Sequence, residues 1–333
     1  MEQQLTRIAV KIGSNVLTRR DGTLDVTRMS ALVDQVAELH KAGVEIILVS
    51  SGAVASGRSE IHPAKKLDSV DQRQLFSAVG QAKLINRYYE LFREHGIPVG
   101  QVLTMKENFA TRRHYLNQKN CMTVMLENGV IPIVNENDTI SVSELMFTDN
   151  DELSGLIASM MDAQVLIILS NIDGIYNGSP ADPASEVIRK IEHGKDLSSY
   201  IQTSKSSFGR GGMLTKTNIA RKVADEGITV IIANGKRDNI LVDLLHQELP
   251  SLFPDVQSSA LDSQLTYTHF IPAPQPVSSV KKWIAHSEGF AKGELHIDDC
   301  ATKVLASDKA VSILPIGITD VRVSSRRTTL CAS

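Results

Sequence analysis

The sequence predicts an α/β protein: a three-layer αβα sandwich on a mostly parallel central sheet, with a small partial β unit after it. Three observations predict this. Short apolar runs alternate with longer segments whose apolar residues recur at helical spacing, the strand–helix–strand grammar that places helices on both faces of a parallel sheet. Glycines and polar residues gather at the ends of those runs, where open α/β sheets bind ligands. After residue 250 the composition shifts toward proline and serine, and short strand patterns replace the alternation.

Residues 8–12 read as the first strand. Residues 29–41 come next as a helix with Leu32, Val33, Val36 and Leu39 on one face, and Gly43 ends it. Residues 44–49 are a second strand. The same grammar then gives a helix over 74–95, a strand over 99–103, a helix over 114–127, a strand over 131–134, a helix over 151–161 and a strand over 165–169. A helix over 213–225 and a strand over 229–233 complete one α/β domain, residues 1–250. Five prolines, from Pro250 to Pro276, mark residues 251–280 as a linker. Residues 281–333 form a second unit of about 50 residues, at the lower limit of independent stability, with short strands expected over 283–285, 294–297 and 312–314. The final stretch, 322–333, is rich in Ser, Thr and Arg and is expected to be disordered.

With 333 residues the chain is long enough for a full core. Lys and Arg number 35 against 38 Asp and Glu, a net charge of -3 with no long basic run, which argues against nucleic acid as a partner and for a small ligand. The three cysteines, Cys121, Cys300 and Cys331, lack metal-ligand spacing and an even count, so no metal site is assigned and a reducing compartment is expected. No signal-type segment opens the chain and no run approaches the roughly 18 apolar residues that cross a bilayer. A cytoplasmic protein without membrane partners is the expectation.

The chemistry concentrates at the strand ends. Lys11-Ile12-Gly13-Ser14 stands at the end of the first strand: a glycine there lets the backbone approach a phosphate, and the lysine supplies positive charge to a transferring phosphoryl group. An exposed lysine beside a turn gives the same local spacing. Ser50-Ser51-Gly52-Ala53-Val54-Ala55-Ser56-Gly57, after the second strand, suits close contact between a ligand and a helix N-terminus, or merely tight packing. It is neither a Walker loop nor a Gly-x-Gly-x-x-Gly dinucleotide loop. Asn135, Asn137 and Asp138 lie beyond another strand, where Asp138 can receive an ammonium group and the amides can bind a carboxylate. Asp149, Asn150 and Asp151 precede a helix; one serves as its N-cap, and three in a row exceed capping needs. A carboxylate here can hold two lysines in place or help coordinate magnesium. Ser170-Asn171-Ile172-Asp173-Gly174 is a polar turn able to meet a nucleotide. Gly209-Arg210-Gly211-Gly212-Met213 is a glycine-rich loop leading into a helix, with Lys216 in its first turn. A lysine so placed opposes the helix dipole and argues for a bound anion.

These residues, with Ala78-Val79-Gly80-Gln81, Gln101-Val102-Leu103-Thr104 and Tyr115-Leu116-Asn117, resemble the amino acid kinase family over residues 7–245. Members most similar in these motifs transfer the ATP γ-phosphate to the side-chain carboxylate of L-glutamate with magnesium, giving γ-glutamyl 5-phosphate, the first step of proline biosynthesis. The resemblance implies that Lys11 and Lys216 stabilise the transferring group and Asp151 orients them. Ser51, Asp138 and Asn150 bind glutamate. The nucleotide site comprises Lys11, Ser170, Asn171, Gly209, Arg210, Gly211, Gly212, Met213 and Lys216. It further implies feedback inhibition by proline, a homodimer or homotetramer, and handover of the labile product to glutamate 5-phosphate reductase.

Two sites depart from the family pattern: Ser170-Asn171 stands where Thr-Asp is usual, removing a carboxylate, and Arg210 stands where threonine is usual, adding a charge. Trp283, Gly293-Glu294-Leu295 and Ser312 to Ile318 resemble the first half of a PUA domain, and the match stops after Val321. Rival readings keep the fold and change the acceptor to N-acetylglutamate, aspartate, carbamate or a nucleoside monophosphate, or make the chain a non-catalytic amino-acid sensor. Asp138 argues against an N-acetylated acceptor, and both lysines with Asp151 argue against a sensor. An RNA-binding adaptor lacks a basic face.

Overall fold

The structure is a computed structural model and describes residues 6–141, 147, 149–180, 182–194, 213–248, 265–275, 277, 279–285, 294–305 and 312–322. Strands β1 (Arg7–Ile12), β2 (Glu45–Ser50), β3 (Val99–Thr104), β4 (Ile131–Glu136), β5 (Val165–Ser170), β6 (Lys190–Ile191), β7 (Thr229–Asn234) and β8 (Tyr267–Phe270) form an eight-stranded sheet ordered β3-β4-β2-β1-β5-β7-β8-β6. Every pairing is parallel except β7 with β8.

The helices are α1 (Ser14–Leu17), α2 (Val26–Lys41), α3 (Ala53–Arg58), α4 (Ser69–Glu94), α5 (Arg112–Glu127), α6 (Asn150–Met160), α7 (Met213–Asp225), α8 (Ile240–Glu248), α9 (Ser279–Ala285) and α10 (Asp299–Leu305). Side-chain alternation along β5 shows the three layers directly. Val165, Ile167 and Leu169 join one core cluster with residues of α2 and α4, whereas Leu166 and Ile168 join another with Ala220 and Val223 of α7. Burial on both faces makes the central strands continuous apolar runs.

The helices start where side-chain caps satisfy the first free N–H groups. The carboxylate of Asp25 accepts from Arg28 N, that of Asp68 from Val70 N and Asp71 N, and that of Asp149 from Asp151 N and Glu152 N. These caps lengthen α2 and α4 beyond the apolar periodicity, which begins a turn later. Helix α3 packs into α4 through glycine: a Cβ on Gly80 would lie 1.8 Å from the Ala53 carbonyl oxygen. Among the described residues, no helix is long and apolar enough to cross a membrane.

Three expectations for the second half need correction. The stretch expected as linker contains β8, a buried strand that closes against β7, with Tyr267, Thr268 and Phe270 all buried. Its four residues sit between proline-rich and serine-rich segments that dominate any composition reading. Residues 283–285, expected as a strand, belong to α9. The helix docks back on the main unit, with Trp283 Nε1 donating to the Phe109 carbonyl at 2.9 Å and the Arg112 guanidinium 5.7 Å from the indole ring. Residues 312–314 form no strand; instead β9 (Leu295–Ile297) pairs antiparallel with β10 (Ile318–Val321). Residues 323–333 lie outside the described residues, as does the expectation of disorder made for them.

Candidate active site

Lys11, one residue before the end of β1, has its side chain buried beside Asp151, whose Oδ1 lies 2.5 Å from Lys11 Nζ. Lys216, in the first turn of α7, donates from Nζ to the other oxygen, Oδ2, at 2.7 Å. Asp151 is 1% exposed and thus bridges two ammonium groups drawn from opposite ends of the main unit. Burial pushes its carboxyl up, but the charges of Lys11 and Lys216 and their hydrogen bonds outweigh that and hold it below the usual carboxylate range. The trio carries one net positive charge. Gly13 makes room for it: a Cβ there would meet the Leu169 carbonyl oxygen at 3.0 Å and Lys11 Nζ at 3.4 Å.

Beside the trio opens a cavity of about 260 Å³ at the carboxyl ends of β2 and β4. Gly52 turns the chain from β2 into α3 with φ of 115°, a backbone that only glycine adopts without strain. At this turn Ser51 Oγ accepts from Asn150 Nδ2 at 2.9 Å, and the same amide reaches Asn135 Oδ1 at 3.1 Å. Asn135 in turn donates to Gln81 Oε1 at 2.8 Å. These links fix the amide orientations around the cavity. Asp138 and Glu136 line it too, and both carboxyls sit above their ordinary range because of burial, opposed by Arg73.

The structure therefore brings Lys11, Asp151 and Lys216 together, and gathers Ser51, Asp138 and Asn150 around one cavity. Ser170 is buried at the end of β5, one residue past the carbonyl that accepts from Gly13 N at 3.0 Å, and Asn171 is exposed beside it. Met213 opens α7 and packs on the core below. Gly209, Arg210, Gly211 and Gly212 lie outside the described residues.

One residue of the site, Arg73, escaped sequence reasoning, and Asp149 was singled out there without a role of its own. Arg73, inside α4, pairs with both Asp138 and Glu136; a single arginine in a long helix gives no local signal, and only the register of α4 over β4 reveals it. Asp149 serves as the expected N-cap through Oδ1, yet its Oδ2 is buried without a hydrogen-bond partner among the described residues, and burial together with Asp151 raises its carboxyl.

A parallel sheet whose carboxyl edge sets a polar cavity against a buried two-lysine clamp defines a small-molecule phosphotransferase. The chain belongs to the amino acid kinase family, whose model matches residues 6–234, and within it to the glutamate 5-kinases. It is 83% identical to the Glutamate 5-kinase of Bacteroides thetaiotaomicron, over 96% of this chain and 85% of that one. Identity to the Glutamate 5-kinase of Chlorobaculum tepidum is 46%, over 96% and 84%. Among solved structures, UMP kinase from Ureaplasma parvum aligns with a TM-score of 0.52 over 81% of this chain and all of its own. Isopentenyl phosphate kinase from T. acidophilum gives 0.53 over 80% and all of its own. At 15% identity each, these two show the fold alone.

Proposed function

We propose that this chain transfers the γ-phosphoryl group of ATP to the side-chain carboxylate of L-glutamate, opening proline biosynthesis. The observation that carries the reading is Asp151 bridging Lys11 and Lys216 beside a cavity lined by Ser51, Asp138 and Asn150. A carboxylate is nucleophilic at neutral pH, so the reaction needs positioning and charge neutralisation rather than a strong base. Lys11 and Lys216 neutralise the moving phosphoryl group, and Asp151 keeps the two ammonium groups from drifting apart under their own repulsion. Asp138 accepts the substrate ammonium, while Ser51 and Asn150 hydrogen-bond its carboxylates. Ser170, Asn171 and the loop from Gly209 to Met213 line the nucleotide side.

The donor set fits magnesium carried with the nucleotide, since Asp149 keeps a buried carboxylate oxygen unpartnered among the described residues and magnesium takes oxygen ligands. Bound there, the ion supplies further neutralisation of phosphate charge. Inhibition by proline, assembly as a homodimer or homotetramer, handover to glutamate 5-phosphate reductase and a cytoplasmic location belong to the same reading, as does a kinase unit with a smaller C-terminal unit after it.

The test is ATP-dependent γ-glutamyl hydroxamate formation from L-glutamate, magnesium and hydroxylamine, run beside N-acetylglutamate and aspartate. Signal with glutamate alone is expected, with kcat falling about 100- to 1,000-fold in Lys216→Ala. Signal with another acceptor, or an undiminished variant, overturns the reading.

A further inference from the structure

Resting on the glutamate reading, we propose that Arg73 is a positioning residue that sets the charge of the substrate cavity, holding Asp138 and Glu136 ionised side by side so that one negative charge is left for the substrate ammonium. The geometry is specific. Arg73 Nε donates to Asp138 Oδ1 at 2.7 Å, and Arg73 Nη2 lies 2.5 Å from that same oxygen and 2.7 Å from Glu136 Oε2. Both Asp138 contacts fall on Oδ1, so Oδ2 is the oxygen left to accept an ammonium. Glu136 is otherwise committed to the segment after β4: its Oε1 accepts from the Ser141 hydroxyl at 2.7 Å and from the Phe147 backbone N–H at 3.0 Å.

The charges add up simply. Two carboxylates and one guanidinium leave a net charge of minus one, which a single ammonium cancels. Without Arg73, two buried like charges share a desolvated wall, and the cheapest relief is for one of them to bind a proton. Among the described residues, the charged group paired with both carboxylates is Arg73 from α4; Asp149, before α6, lines the same cavity. A protonated Asp138 no longer attracts the substrate ammonium. Arginine suits the task because its planar fork sets two nitrogens, Nε and Nη2, on Asp138 while Nη2 also reaches Glu136.

The experiment measures kcat and KM for L-glutamate against pH in wild type, Arg73→Gln and Arg73→Lys, with a thermal melt of each. Arg73→Gln is expected to raise KM at least tenfold near neutral pH while kcat changes less than threefold, and to move the acidic limb of the KM profile, where binding fails as carboxylates protonate, to higher pH. Arg73→Lys keeps the charge and loses one contact, so the limb stays in place and KM rises a few-fold. If Arg73→Gln lacks a cooperative melt, Arg73→Lys alone decides, by whether its limb holds at the wild-type pH. A KM and limb unchanged in Arg73→Gln, a loss confined to kcat, or a displaced limb in Arg73→Lys overturns the role of Arg73. Wild-type protein inactive with glutamate overturns the substrate reading instead, and this inference with it.

Discussion

Asp151 shows how much one buried carboxylate does here. Its two oxygens are each assigned to a different lysine, so Asp151→Asn leaves two ammonium groups facing an amide that cannot neutralise either. Breaking a buried charge cluster this way is expected to lower stability by about 3 kcal/mol, read as a drop in the urea midpoint, and to cut kcat at least about 100-fold. Because the native carboxyl lies below its unfolded value, its stabilising contribution is full above the unfolded value and fades as pH falls through the native one. The pH dependence of the wild-type midpoint in acid should therefore flatten in Asp151→Asn. At this scale the sequence was generous with Lys11, Asp138, Asn150 and Asp151, since charged and amide residues massed at strand ends have no packing rationale. It was silent on Arg73 because a helix interior hides which of its turns passes over a neighbouring strand.

The elements were legible to the extent that periodicity is local. Helices α2, α4, α5, α6 and α7 and strands β1 to β5 and β7 fall where apolar spacing puts them, and caps such as Asp68 account for the extra turn at the starts. The short strands β6 and β8 and the docking of α9 were not legible, because their burial comes from pairing with distant segments rather than from their own pattern. The α3–α4 contact yields an expectation of its own. Gly80→Ala places a Cβ against backbone that has no rotamer to change, so α3 must move off α4 and carry the Gly52 turn and Ser51 with it. The expected cost is about 2 kcal/mol with a raised KM for glutamate, checked by chemical denaturation and initial rates. A variant as stable as wild type would mean that α3 slides freely.

For the molecule as a whole, α9 is the fastener between the main unit and the C-terminal elements. Trp283 packs on the aromatic group of Phe109, Tyr115 and Phe147, and Lys282 with Lys119 shares Asp162. Trp283→Ala should release this helix at a cost of about 2 kcal/mol for a half-buried aromatic, seen as faster proteolytic cleavage within 279–305 while the main sheet stays protected. Equal cleavage rates would show that the fastening lies elsewhere. The strand expected over 294–297 is present as β9, but the reading of Trp283 failed at this scale for a plain reason: it was grouped with the strands downstream, whereas its partners lie upstream in α5 and the turn before it.

The strand order carries a consequence for how the protein is made. Lys11 emerges first in β1, Asp151 only with α6, and Lys216 later still with α7. On the proposed chemistry, a chain still attached to the ribosome with its first five strands exposed holds one lysine against Asp151 and lacks the other. On that chemistry, phosphoryl transfer is expected only once α7 has been made, so an unfinished chain should not spend ATP on an incomplete pocket.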